Sequence, residues 1–281
     1  MSYEFIISGF ADEIDADLNV QMDVLDQLEI KYIEMRGVNG KNLTDYTLNE
    51  VKEIKKQLDQ RGFRLSAVGS PIGKIGINDD FAPHLEKFRH TLKIAEVMDT
   101  KYIRMFSFFI PKGEDPAQYR DEVLNRWRAF LEAAEGTDIT LLHENEKDIY
   151  GDTPERCLDL VESLNNESFR LTFDPANFVQ CDVEVYPKAF DMLKDHIEYM
   201  HIKDALSDGH QVVPSGQGDG KIKEVLDALR EMGYQGFLSL EPHLGNFVGF
   251  ADLEPGTVGS DMPEGGAKQF SIAVHALRQL L

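Results

Sequence analysis

Short β-rich runs and longer amphipathic stretches alternate along all 281 residues, which leaves few architectures open. The β-rich runs are Phe5–Gly9, Lys31–Arg36, Phe63–Gly69, Lys101–Phe106, Asp138–Glu144, Phe169–Asp174, Ile197–Ile202 and Gly236–Glu241. Helical patterns follow them, most clearly over Leu48–Arg61, Phe81–Met98, Arg120–Glu135, Pro154–Leu164, Ile222–Met232 and Gly265–Leu281. Asp152-Thr153-Pro154-Glu155 puts a capping residue ahead of a proline at a first helical position. Gly62 and Gly233 stand just past helix ends, where a left-handed residue is needed.

Eight β-then-α units predict a closed (β/α)8 TIM barrel of the α/β class. An open doubly wound sheet would place a glycine-rich phosphate loop after its first strand, but Ile7-Ser8-Gly9-Phe10-Ala11-Asp12 holds one glycine. With no linker or compositional break, residues 1–281 are expected to form a single barrel domain. Helix-to-strand joins are short, whereas Ser70–Asp80 and Asp204–Gly220 are long and follow strands. Ligand sites are therefore expected at the carboxyl ends of the strands.

Charge removes several functions. There are 29 Lys+Arg against 50 Asp+Glu, a net charge of −21, which repels a nucleic-acid backbone. No apolar run approaches the ~18 residues of a membrane helix, and the first basic residue is Lys31, so no secretory signal flank is read. Cys157 and Cys181 are too few for a disulfide framework and have no metal-site spacing. The expectation is a soluble cytoplasmic protein that binds neither nucleic acid nor membranes.

The last four strands each deliver a metal-capable side chain at the carboxyl end: Glu144, Asp174, His201 and Glu241. One such residue is commonplace; four at the same relative place on consecutive strands converge on one rim. Three carboxylates there would repel one another, and a divalent cation resolves the repulsion. Three oxygens and an imidazole nitrogen suit one Mn, Mg, Co or Zn ion. Pro175 and Pro242 fit a chain leaving a ladder at these points.

The segments His143-Glu144-Asn145-Glu146, Phe173-Asp174-Pro175-Ala176-Asn177, His201-Ile202-Lys203-Asp204 and Leu240-Glu241-Pro242-His243 resemble the xylose isomerase-like barrels. That superfamily holds sugar and sugar-phosphate isomerases and epimerases and is related to endonuclease IV. Pro214–Gly220 looks like the glycine-rich loop ahead of the helix of the seventh unit. The resemblance spans nearly the whole chain and puts Glu144, Asp174, His201 and Glu241 on the epimerases' single-metal site. It departs at Asn177, where relatives often carry histidine; an amide hydrogen-bonds a sugar hydroxyl but is a poorer ligand or proton carrier.

The resemblance implies a metal-dependent isomerase or epimerase acting on a sugar, sugar phosphate or related polyol through an enediolate, with Glu144 and Glu241 as acid–base pair. Lys203, Asn177, Arg104 and Arg36 are the candidate substrate contacts, although Lys203, Arg104 and Arg36 could instead pair with rim carboxylates, and Glu34 could pair across strands. Phe106, Phe108, Phe109 and Trp127 are candidates for an apolar wall. His143 has the opposite parity to Glu144 and is read as facing outward or orienting the loop. Competing readings are an endonuclease IV-like phosphodiesterase, disfavoured by the charge and by Asn177, a dehydratase or lyase using the same chemistry, and a sugar-binding barrel without catalysis.

Overall fold

All eight ladder strands run parallel. In a computed structural model that describes residues 5–247, 250 and 263–281, they are β1 (Ile6–Gly9), β2 (Tyr32–Met35), β3 (Arg64–Gly69), β4 (Tyr102–Met105), β5 (Thr140–Glu144), β6 (Phe169–Phe173), β7 (Ile197–Ile202) and β8 (Phe237–Leu240). The ladder order is β1-β8-β7-β6-β5-β4-β3-β2, and β1 also touches β2, so the sheet wraps into a barrel. Each strand expected from the sequence is present, shortened by at most two residues at an end.

The helices are α1 (Leu18–Gln27), α2 (Leu48–Gln60), α3 (Phe81–Met98), α4 (Arg120–Ala133), α5 (Pro154–Leu164), α6 (Pro175–Gln180), α7 (Phe190–Leu193), α8 (Ile222–Glu231) and α9 (Ala267–Leu280). Local chemistry sets their starts. Thr47 and Glu50 form a reciprocal capping box on α2, and Thr153 accepts from the Arg156 amide with Pro154 in the first turn of α5. Gly62 and Gly233 have φ of +71° and +77°, the left-handed stops expected after α2 and α8.

The main core lies between the sheet and the helices, with Phe88, Trp127, Phe130, Phe169 and Phe190 fully buried in it. A second, small cluster of Ala67, Leu142 and Tyr199, with Tyr102 and Phe237 against it, fills the barrel interior. Above it Ser66 bonds both Ser8 and Tyr199 (2.5 and 2.8 Å). The interior therefore grows more polar towards the carboxyl-terminal rim, and the charged residues stand there. Among the described residues no helix is long and apolar enough to cross a membrane, and both cysteines are free.

Candidate functional site: a buried carboxylate–histidine cluster

Strand register brings the four rim residues level. His201 pairs with Ser239 of β8, and Phe173 pairs with Met200, so Asp174 and Glu241, each one residue past its strand, stand beside His201 and Lys203. Asp174 also caps α6: its Oδ1 accepts from the Asn177 amide at 2.9 Å while Oδ2 points into the barrel. Asn145 fixes the same backbone, donating to the Asp174 carbonyl and accepting from the Asp174 amide, both at 2.9 Å.

Glu144, Asp174, His201 and Glu241 each offer one ligand atom, and these atoms lie within 4.8 Å of one another. All four residues are buried. His201 Nδ1 is 3.2 Å from Glu144, 3.5 Å from Glu241 and 3.7 Å from Asp174. Its other nitrogen, Nε2, is 3.1 Å from Glu34 Oε2. That carboxylate fixes the ring so that Nδ1 faces the cluster, as in histidines that bind metals. Glu144 Oε2, Asp174 Oδ2 and His201 Nδ1 are buried without a hydrogen-bond partner. Buried polar atoms of this kind are costly, and a divalent cation would satisfy all three.

Cations from three strands surround the cluster. Arg36, just past β2, donates to Glu241 Oε1 at 2.9 Å and to both oxygens of Asp12 at 2.8 and 3.1 Å. Arg104 of β4 stands 3.3 Å from Glu144 and 3.6 Å from Glu34. Lys203 bridges Asp174 and Glu241 at 3.2 and 3.1 Å. Asn177 donates to Glu144 Oε1 at 3.0 Å. The four side chains weighed as substrate contacts are thus all at the rim, and each is engaged with the carboxylates of the cluster itself.

Electrostatics follow from these contacts. Burial raises the Glu144 carboxyl, but His201 and Arg104 outweigh it and hold the group at about 2. Burial likewise opposes ionisation of Glu241, and Lys203 with His243 brings it well below the carboxylate range. Both glutamates are ionised, as ligands and bases must be. Burial alone lowers His143 to about 3; it packs on Trp127 and Phe169, bonds Ser107, and faces the helices as its parity predicts.

Sequence reasoning missed two contributors after the first strand, Asp12 and Glu13, and left Glu34 open as a cross-strand pair without its partner. Glu34 orients His201, Asp12 anchors Arg36, and Glu13 accepts the His243 amide at 2.8 Å. The run Asp12-Glu13 directly after a strand was the available signal for the last two. The apolar-wall candidates divide. Phe106 lies under Arg104 and Lys74, Phe108 and Trp127 belong to the core, and Phe109 is exposed. Phe10, not foreseen, sits edge-on to His201 with Arg36 and Arg104 over its ring.

The glycine-rich segment is tied to the rim by Asp204. Its carboxylate accepts from the backbone amides of Gly216, Gly218 and Gly220 at 2.8, 3.0 and 2.9 Å. A Cβ at Gly218 would fall 2.4 Å from Asp204 Oδ1, so glycine is required for that approach.

Comparison with known proteins agrees with this architecture. The chain is 26% identical over 173 residues to MJ1311, an uncharacterized protein of Methanocaldococcus jannaschii, and the match spans 56% of each chain. Similar solved structures include D-psicose 3-epimerase of Clostridium cellulolyticum H10 (15% identity, 98% of both chains, TM-score 0.74). Another is the probable 3-DHS dehydratase AsbF of Bacillus anthracis (17% identity, 97% of this chain and 98% of that one, TM-score 0.73). A third is an IOLI protein carrying a zinc atom (16% identity, 98% of both chains, TM-score 0.70). At these identities the structures speak for the fold. The family model of the xylose isomerase-like TIM barrel matches residues 22–260, and the chain belongs to that family.

Proposed function

We propose that the protein is a divalent-metal-dependent isomerase or epimerase of a sugar, sugar phosphate or related polyol, with the whole chain forming one barrel domain around the site. The carrying observation is the set of four ligand atoms within 4.8 Å, three of whose side chains keep a buried atom without a hydrogen bond. Similarity to a sugar epimerase and to a zinc-carrying barrel supports the reading.

Glu144, Asp174, His201 and Glu241 would hold one cation, Mn, Mg, Co or Zn by donor type. When bound, it supplies Lewis-acid stabilisation of negative charge forming on the substrate oxygens. The remaining chemistry belongs to the chain. Glu144 and Glu241 leave strands β5 and β8, with Asp174 and His201 on the strands between, so a substrate can lie between the two glutamates. One carboxylate removes a proton from the carbon beside a carbonyl and keeps it, giving an enediolate, and the other, once it has taken a proton from solvent, delivers that proton to the opposite face. Arg104 and Lys203 keep the bases ionised, and Arg36 and Asn177 fix their orientation. Similarity to a probable dehydratase favours a second outcome from the same abstraction, loss of a neighbouring hydroxyl in place of reprotonation.

The test is a screen of ketoses, aldoses and their phosphates in deuterated solvent with each of the four metals. Carbon-bound deuterium is the expected result, and a dehydrated product would select the second outcome. No metal-dependent exchange with any member of the screen would sink the proposal, and so would metal-dependent incision of an abasic DNA duplex.

A further inference from the structure

We infer that Arg104 binds the reacting end of the substrate: the Nε–Nη2 edge of its guanidinium takes two oxygens on neighbouring carbons of an α-hydroxycarbonyl compound and stabilises the negative charge that forms there. This rests on the proton-abstraction reading above and adds to it an electrophile supplied by the chain itself. Arg104 differs from the other rim cations in how its donors are used. Arg36 donates from Nε to Asp12, from Nη1 to Glu241 and from Nη2 to Asp12, at 2.8, 2.9 and 3.1 Å. Lys203 donates to Glu241 at 3.1 Å. Arg104 is 3% exposed, yet its Nε and Nη2 have no hydrogen-bond partner among the described residues. Glu144 and Glu34 come no nearer than 3.3 and 3.6 Å, both towards Nε and outside hydrogen-bond geometry. They balance the charge of the guanidinium without satisfying its N–H groups. Buried charged donors left unbonded are costly, which marks this edge as a place for a ligand's oxygens.

The two open nitrogens share one edge of the group. Nε–H and one N–H of Nη2 run parallel in a guanidinium, forming the fork that accepts a pair of oxygens side by side. A carbonyl oxygen and the hydroxyl oxygen on the adjacent carbon present such a pair. The fold holds the fork in place. Arg104 lies on β4, paired with Gly69 of β3 and Leu142 of β5. Its Cζ is 4.6 Å from the centre of the Phe106 ring and 5.3 Å from that of Phe10. A Cβ at Gly69 would come 3.4 Å from Arg104 Nη2 and 2.8 Å from Phe10, so the missing side chain leaves both groups their room.

Donors fixed in this way need no reorganisation as charge develops. When a glutamate takes the proton from carbon, the C–H electron pair becomes the carbon–carbon double bond and the carbonyl π pair moves onto oxygen. That oxygen and its hydroxyl neighbour accept from Arg104, which stays protonated throughout. A lysine at the same place would supply the charge without the fork.

The experiment uses the full chain loaded with Zn²⁺, excess metal removed. The probes are erythronohydroxamate and threonohydroxamate, planar mimics of an enediolate, with erythronate and threonate as carboxylate counterparts. In the parent protein the ¹⁵N–¹H signal of Arg104 Nε, assigned through its own backbone, is followed as each probe is added. Saturating hydroxamate is expected to move that signal and slow its exchange with solvent. Chelation by zinc alone would leave it in place, and that result overturns the inference, as does the absence of binding by every probe. Arg104→Lys keeps a positive charge beside Glu144 and removes the fork. By calorimetry it should bind zinc within ~3-fold of the parent and the hydroxamates ~10–100-fold more weakly. Undiminished hydroxamate binding would sink the inference. So would loss of zinc together with the probe, since Arg104 would then serve to hold Glu144. A signal that moves with the carboxylates and not with the hydroxamates would overturn the substrate class. Failure of the underlying reading looks different: a shifted Arg104 signal with no deuterium exchange in the sugar screen ends proton abstraction and keeps the oxygen-binding fork.

Discussion

The two halves of the barrel divide the work differently. Strands β5–β8 bring the four candidate ligands to the rim, whereas β1–β4 bring what holds those ligands in place: Asp12 and Glu13 after β1, Glu34 and Arg36 at β2, and Arg104 on β4. Lys203, Asn145 and Asn177 cross this division, standing on the ligand side and bonding the ligands there. The lesson is that the ligand half by itself would be a cluster of mutually repelling carboxylates. The first half makes it a defined site by fixing the histidine ring and balancing the charge.

The largest effect should come from the ligand half. Glu144→Gln or Glu241→Gln keeps an oxygen ligand and removes the base, so turnover should fall by ~10²–10⁴ with modest loss of metal affinity. One of the two variants is expected to retain solvent exchange yet fail to form product. If both turn over normally when saturated with metal, the two-carboxylate mechanism is wrong and Lys203 becomes the leading base. His201→Ala should instead lose metal and activity together, with partial recovery in excess metal.

Next comes the supporting half. Glu34→Gln takes away the carboxylate that orients His201 through Nε2, and metal affinity measured by competition should fall ~10–100-fold. An unchanged affinity would erase the proposed division of labour, since Glu34 touches none of the other ligands.

A smaller effect concerns pH. His84 on α3 accepts from the Gly73 amide at 2.7 Å, and burial, with Lys87 and Arg126 nearby, lowers it to about 4 from an ordinary 6.5. Above 6.5 it is neutral in both states. Between 6.5 and about 4 the unfolded chain gains a proton that the native one does not, so stability falls as pH falls through that window. The contribution is about 1–3 kcal/mol at most. Urea unfolding of His84→Gln should show a shallower loss than the parent between pH 7 and 4.5, and parallel curves would dismiss the assignment.

The smallest is local. Thr47→Ala removes the capping box of α2 and should cost about 1 kcal/mol in the same assay without changing metal affinity. A change in metal affinity would mean that the helix layer and the rim are less independent than the two-part description holds.

Much of this was legible in the chain because its signals are periodic or local. Eight β/α alternations, the Thr153-Pro154 start and the Gly62 and Gly233 stops are set by neighbouring residues, and the structure reproduces them. The four rim residues could be read because each ends a strand and two precede proline. Helix α1 and the short α6 and α7 were not delimited, being brief or weakly patterned. The sequence leaves a cross-strand pair open for Glu34, and the structure supplies its partners, His201 and Arg104, because strand parity gives a direction but not a partner.

Sequence by itself therefore determined the order of elements, the end of the barrel that carries chemistry, and the residue types at that rim. It could do so because backbone preference and side-chain alternation act over a few residues. Only the tertiary structure decided which charges meet. Arg36 and Glu241 are 205 positions apart, and Glu34 and His201 are 167 apart, yet barrel closure and strand stagger set them in hydrogen-bond reach. Whether Lys203, Arg104 and Arg36 face substrate or carboxylate is likewise a question of ångströms across the mouth, and no spacing along the chain encodes it.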